Sequence, residues 1–131
     1  MLIDTSGFLC FLDVRDSRHD KAVALYRSKL FRWTHSYILL ELVALAEARN
    51  FSRTKTLGFL SELFDDELVK IVWVDDLLTQ NALTFLGERL DKKWSLCDAV
   101  SFLLMESYEV REALTTDHHF EQAGFNKLLE S

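Results

Sequence analysis

The sequence predicts an α/β protein built on a parallel sheet with helices over both faces. Short apolar runs of strand length alternate with segments whose apolar residues recur at helical spacing. Two aspartates, Asp4 and Asp117, fall directly after strand-like runs, at the edge where a parallel sheet keeps its ligand sites. The chain of 131 residues has no proline, no low-complexity tract, no repeat and nothing resembling a linker, so one domain over residues 1–131 is the simplest organisation.

In order, "MLI" reads as a strand and "SGFLCFL" as a helix that Asp4, Thr5 or Ser6 could cap. "RHDKAVALYRSKL" has helical apolar spacing, and "FRWTH" is a short strand. Ser36 is expected to cap the long apolar helix "YILLELVALAEARN", and "SRTKTLGFLSELF" is a further helix. "LVKIVWV" has the β-branched content of a strand. "DLLTQNALTFLGERL" returns to helix, and Ser95 caps "LCDAVSFLLMESY". "VREALTT" is the next strand, "DHHFEQAG" a short helix and "FNKLL" an edge strand.

Composition narrows the function classes. Apolar residues at 49% indicate a globular chain, yet no run is long or apolar enough to cross a membrane. No basic segment precedes an apolar one at the N-terminus, so a signal peptide is not read there. Cys10 and Cys97 sit apart inside apolar stretches, as reduced thiols of a cytoplasmic protein would, and without a C-x-x-C pair the usual zinc signature is missing. A net charge of −6 argues against holding nucleic acid by bulk electrostatics. The charge is uneven: Arg15, Arg18, Lys21, Arg27, Lys29 and Arg32 face only two acids between residues 15 and 32, which permits a basic flank, while Glu62–Asp76 is strongly acidic. The scattered glycines form no phosphate-cradling loop. Ser6 and Ser36 lack His/Asp partners or a G-x-S-x-G elbow, so no acyl-transfer triad is read.

Four acids remain to be explained. Asp4 and Asp117 stand at strand ends, where each is by itself more often a helix cap than a ligand. Glu41 lies in "YILLELVALA" among Tyr37, Ile38, Ala44 and Leu45, and an unpaired carboxylate buried there would cost several kcal/mol. Either a buried Arg or Lys partner or a cation would answer that cost. Asp98 completes a Ser95-x-x-Asp98 capping box, and a helix that starts at Ser95 also brings it close to the strand edge. His118 and His119 follow Asp117. A tandem pair on a helix is not expected to turn both rings to one site, and both are read as facing solvent.

"LIDTSGFLCFLD", "SYILLELVALAEARN", "WSLCDAVSFLLM" and "ALTTDHHFEQAGF" together resemble the PIN-domain family, and most of all the small VapC-like toxins of toxin–antitoxin pairs. The likeness spans essentially the whole chain. It implies a three-layer α/β/α sandwich with a central parallel sheet, an acid cluster binding Mg²⁺ or Mn²⁺, and metal-dependent endoribonuclease activity. The family's acids fall on Asp4, Glu41, Asp98 and the more variable Asp117, with Glu121 in the region of a further one. Thr5, Ser6 and Thr116 match hydroxyl positions that support the acids. Carboxylate oxygens suit hard divalent ions, and such ions would neutralise the cluster, draw in the scissile phosphate and acidify a water. Arg15, Arg18 and Lys21 could then track the RNA backbone. A small cognate antitoxin and a homodimer are the implied partners. The alternatives are a PIN nuclease of housekeeping RNA processing and an inactive PIN-like binding module. A receiver-type phosphoacceptor would need an acidic pair after the first strand and a lysine after the last, and "LIDTS" and "LTTDHH" provide neither.

Overall fold

A computed structural model describes residues 1–131. Five parallel strands form one sheet: β1 (Leu2–Ile3), β2 (Arg32–His35), β3 (Val69–Val72), β4 (Glu112–Leu114) and β5 (Asn126–Lys127), in the order β3-β2-β1-β4-β5. Helices α1 (Thr5–Leu12), α2 (His19–Ser28), α3 (Ser36–Ala48), α4 (Arg53–Asp65), α5 (Asp76–Gly87), α6 (Leu96–Ser107) and α7 (His119–Gln122) connect them. The alternation expected from the apolar runs is the one observed, and "FNKLL" supplies the edge strand.

β1 is two residues long, yet it is the middle of the sheet. Leu2 pairs with Trp33 on one side and Ala113 on the other, and Ile3 pairs with Leu114. Leu2 and Ile3 are buried, as a strand covered on both faces requires. The sheet order therefore sets the ends of β2, β1 and β4 side by side. His35, Asp4 and Thr115 follow one another along its carboxyl edge.

Packing fixes the helices that start at this edge. Gly7 lets α1 lie directly on β4: a Cβ there would come within 2.1 Å of the Leu114 carbonyl oxygen. Phe102 of α6 meets Phe120 of α7 edge-to-face at 5.0 Å, with Trp94 against its other side at 5.0 Å. These rings hold the start of α6 beside the segment after β4.

Two local expectations are corrected. The cap of α3 is His35, whose Nδ1 accepts from the Ile38 amide at 3.4 Å, while Ser36 Oγ accepts from the Val74 amide at 2.9 Å. A serine before a helical run is the commoner signal, and here the preceding histidine takes the role. The strand "VREALTT" pairs only over Glu112–Leu114; Thr115 and Thr116 turn their hydrogen bonds to the acids and to Ser6.

Candidate active site

Asp4 occupies the cap position of α1, but its carboxylate caps nothing. Oδ2 instead accepts from Thr115 Oγ1 at 2.9 Å and Ser6 Oγ at 3.4 Å. Ser6 Oγ also lies 3.0 Å from Thr115 Oγ1 and accepts from the Thr116 amide at 2.9 Å. The chain ends after β1 and β4 are thus tied together through two hydroxyls. Asp4 is 6% exposed. Burial pushes its carboxyl up to about 7, and the charges of Asp98 and Glu41 push the same way, against the hydrogen bonds from Thr115 and the Thr5 backbone. No lysine or arginine forms an ion pair with Asp4, Glu41 or Asp98.

Asp98 realises both of its sequence readings. Ser95 and Asp98 close the capping box, each backbone amide donating to the other side chain at 3.0 Å. Asp98 Oδ2 also receives His119 Nδ1 at 3.0 Å. The side-chain bonds to Asp4 and the Ser95 and His119 bonds to Asp98 therefore converge on Oδ2 of each carboxylate. Asp117 turns the chain out of the sheet: its amide donates to Thr115 Oγ1 at 3.0 Å, and its Oδ1 accepts from the His119 amide at 2.9 Å.

Glu41 corrects the argument from burial. It is exposed, because α3 is covered on the side of Ile38, Leu42 and Ala46 and open on the side of Leu40, Glu41 and Ala44. Its charge nevertheless reaches the site, since it contributes to raising both the Asp4 carboxyl and the Cys97 thiol. Burial is the larger cause for Cys97, and Glu41, Asp4 and Asp98 all add to it, so this half-buried thiol stands among the three acids. Glu121 is turned elsewhere, 3.8 Å from Lys127.

Among the supporting residues, Thr115 rather than Thr116 supplies the hydroxyl that holds Asp4; Thr116 contributes its amide. Adjacent threonines at a strand end alternate faces, so sequence gave no choice between them. Thr5 Oγ1 is buried without a partner. His119 was missed. Its side chain is one-fifth exposed and joins Asp98 to Asp117, with Nδ1 3.4 Å from Asp117 Oδ1.

The basic flank is also revised. Arg18 is held by Asp16 at 2.9 Å and by the Glu130 carbonyl, and Arg15 pairs with Asp13 at 3.0 Å. Lys29 and Arg32 pair with Glu112 and Asp66. Arg15 lies against Asn50, Ser52 and Lys55, at the far end of α3 from His35, roughly 20 Å along the helix. Lys21 is exposed and makes no ion pair. Arg15 and Arg18 thus serve local turns rather than the acid edge.

A second shared feature braces the site. His35 is fully buried, and its Nε2 donates to Ser101 Oγ at 2.8 Å while Nδ1 caps α3. Burial pulls its pKa down to about 3, so the ring is neutral. It links the helix carrying Glu41 to the helix carrying Asp98.

No family model matches the chain. It is 27% identical over 126 residues, 95% of each chain, to the 23S rRNA-specific endonuclease VapC20 of two Mycobacterium tuberculosis strains, CDC 1551 / Oshkosh and H37Rv. The crystal structure of M. tuberculosis VapC20, described as a sarcin–ricin loop cleaving toxin, superposes with a TM-score of 0.84 at 25% identity over 95% of both chains. The chain is similar to VapC-like PIN-domain toxins over nearly its whole length. The sheet order and the helices over it agree with the fold implied by the resemblance read from the four sequence stretches. No helix is long and apolar enough to cross a membrane.

Proposed function

We propose that this protein is an endoribonuclease toxin that hydrolyses RNA phosphodiester bonds with Mg²⁺ or Mn²⁺ held by Asp4, Glu41, Asp98 and Asp117. The observation that carries the reading is Asp4, a buried carboxylate whose charged neighbours are themselves acids and which no basic side chain compensates. Such a group is stable in its ionised form only with a cation beside it. The donor set fits, because carboxylate oxygens are the ligands hard divalent ions prefer. When bound, the ion supplies electrostatic stabilisation at the scissile phosphate and lowers the pKa of the attacking water.

The chain's own residues do the positioning. Thr115 and Ser6 hold one oxygen of Asp4, and the Ser95 amide and His119 hold one oxygen of Asp98. These bonds fix the plane of each carboxylate in advance of a ligand. The His35–Ser101 bond keeps α3 and α6 in register across the site.

The partners follow from the same reading. Leu40, Phe64 and Trp73 are 69%, 55% and 65% exposed and line a groove of about 530 Å³ with Leu39, Val43 and Leu60. An apolar surface of this kind supports association with protein, either a second copy or a small antitoxin that would place an Arg or Lys among the acids.

Ribosomal RNA is the first substrate to test, given the 23S rRNA specificity of VapC20. Purified protein should cut at a discrete position, read by primer extension, in Mg²⁺ or Mn²⁺, and should stop in EDTA and in Asp4→Asn. Cleavage that persists in excess EDTA sinks the metal-dependent mechanism. Expression alone should arrest growth, and co-expression of the cognate antitoxin should restore it.

A further inference from the structure

The segment after β4 brings together nitrogen donors that the acid cluster does not need. Asp117, His118 and His119 each place a donor atom within 4.8 Å of the other two. Tandem histidines on a regular helix would diverge. Here the amide of Asp117 is held by Thr115 Oγ1 and that of His119 by Asp117 Oδ1, so the chain curls before α7 begins. Both rings consequently face the Asp117 carboxylate, with Nδ1 of His118 at 3.7 Å and Nδ1 of His119 at 3.4 Å from Oδ1, and ring centroids 4.6 Å apart. Asp98 Oδ2 lies 3.0 Å from His119 Nδ1 but outside this group of three.

The two separations from Asp117 Oδ1, 3.4 and 3.7 Å, approach the edge of a known polyhedron. Zinc bonds of about 2.0–2.1 Å to nitrogen and oxygen set neighbouring donors about 3.3–3.4 Å apart in a tetrahedron. A small rotation of the exposed His118 ring would bring its nitrogen onto that figure, with water at the fourth corner. Two imidazoles with one or two carboxylates suit a borderline ion such as Zn²⁺, and are poor ligands for Mg²⁺, which prefers oxygen and keeps its waters.

We propose that Asp117, His118 and His119 form a Zn²⁺ site on the rim of the acid cluster, beside Asp98, with solvent completing the coordination. The ion binds neutral imidazole, so His119 Nδ1 gives up the hydrogen it shares with Asp98, and the proton moves to Nε2 or to solvent. Occupancy withdraws Asp117 from the acid cluster and breaks the His119 bond that holds Asp98. Zn²⁺ binding does not depend on the nuclease reading; the inhibition it would cause does.

The test uses untagged, EDTA-stripped protein and titrates Zn²⁺ in competition with a chromophoric chelator. The decisive variant is His118→Ala. His118 is 65% exposed at its side chain, makes no hydrogen bond that holds an acid of the cluster, and can be removed without unfolding the chain, as circular dichroism would verify. The parent should bind one Zn²⁺ per chain. His118→Ala should bind it at least tenfold more weakly, with the rise in melting temperature given by Mn²⁺ unchanged. In a separate arm, one equivalent of Zn²⁺ should slow Mg²⁺-dependent RNA cleavage by the parent more than by His118→Ala. Equal Zn²⁺ affinity in parent and His118→Ala, or no stoichiometric binding to the parent, overturns the site whether or not the protein cuts RNA.

Discussion

At Asp4, burial and like charge both oppose ionisation, and this gives the metal-free protein a defined pH response. Burial and crowding raise the folded carboxyl to about 7 from its ordinary 3.8, so between those values the native state holds a proton that the unfolded state has lost. The stabilisation tied to that proton is complete below pH 3.8 and is lost as the pH rises through about 7. Asp4→Asn carries no such penalty. In EDTA it should melt higher than the parent at pH 8, with an upper bound of roughly 4 kcal/mol, and the gain should vanish near pH 4. Thermal melts across that range check it; a variant less stable than the parent at pH 8 would contradict the assigned burial and crowding. His35 acts with the opposite sign in both proteins. Its folded pKa of about 3 lies below the ordinary 6.5, so its contribution is present above 6.5 and is lost as the pH falls toward 3. That loss cancels in the comparison.

Among the elements, the brace between α3 and α6 and the contact of α1 with β4 set the geometry of the acids. Ser101→Ala leaves the buried Nε2–H of His35 without its acceptor, at a cost of about 1–3 kcal/mol, and should weaken Mn²⁺ binding beyond that loss of stability. Isothermal titration separates the two; unaltered Mn²⁺ affinity would leave the pair a purely structural contact. Gly7→Ala drives a methyl into the Leu114 carbonyl, and should cost at least the roughly 1–3 kcal/mol of an overpacked core. Calorimetry would register it as a lower melting temperature. The elements were legible in the sequence because periodicity and strand-end aspartates are local signals. Asp98 in its capping box was legible for the same reason. Glu41 was placed by resemblance, and its supposed burial was wrong, because an apolar helix face turned to the core looks the same in sequence as one turned to a surface groove. Thr115 and His119 act through contacts that span 111 and 21 residues, and no local pattern marks such pairs.

For the whole molecule, the exposed face of Leu40, Phe64 and Trp73 is expected to close in a homodimer. Light scattering should then give twice the 15.3 kDa chain mass, and Leu40→Glu should shift the population toward monomer without changing the circular dichroism spectrum. A monomeric parent at micromolar concentration would assign that face to another protein. The sheet order has a further consequence, for the timing of activity. β1 pairs with β4, so Asp4 meets Thr115 only once the chain has been extended past β4. A nascent polypeptide on the ribosome that stops short of β4 has only β2 beside β1 and lacks the Thr115 hydroxyl that orients Asp4. On the reading proposed above, a half-made copy would be harmless to the machinery translating it.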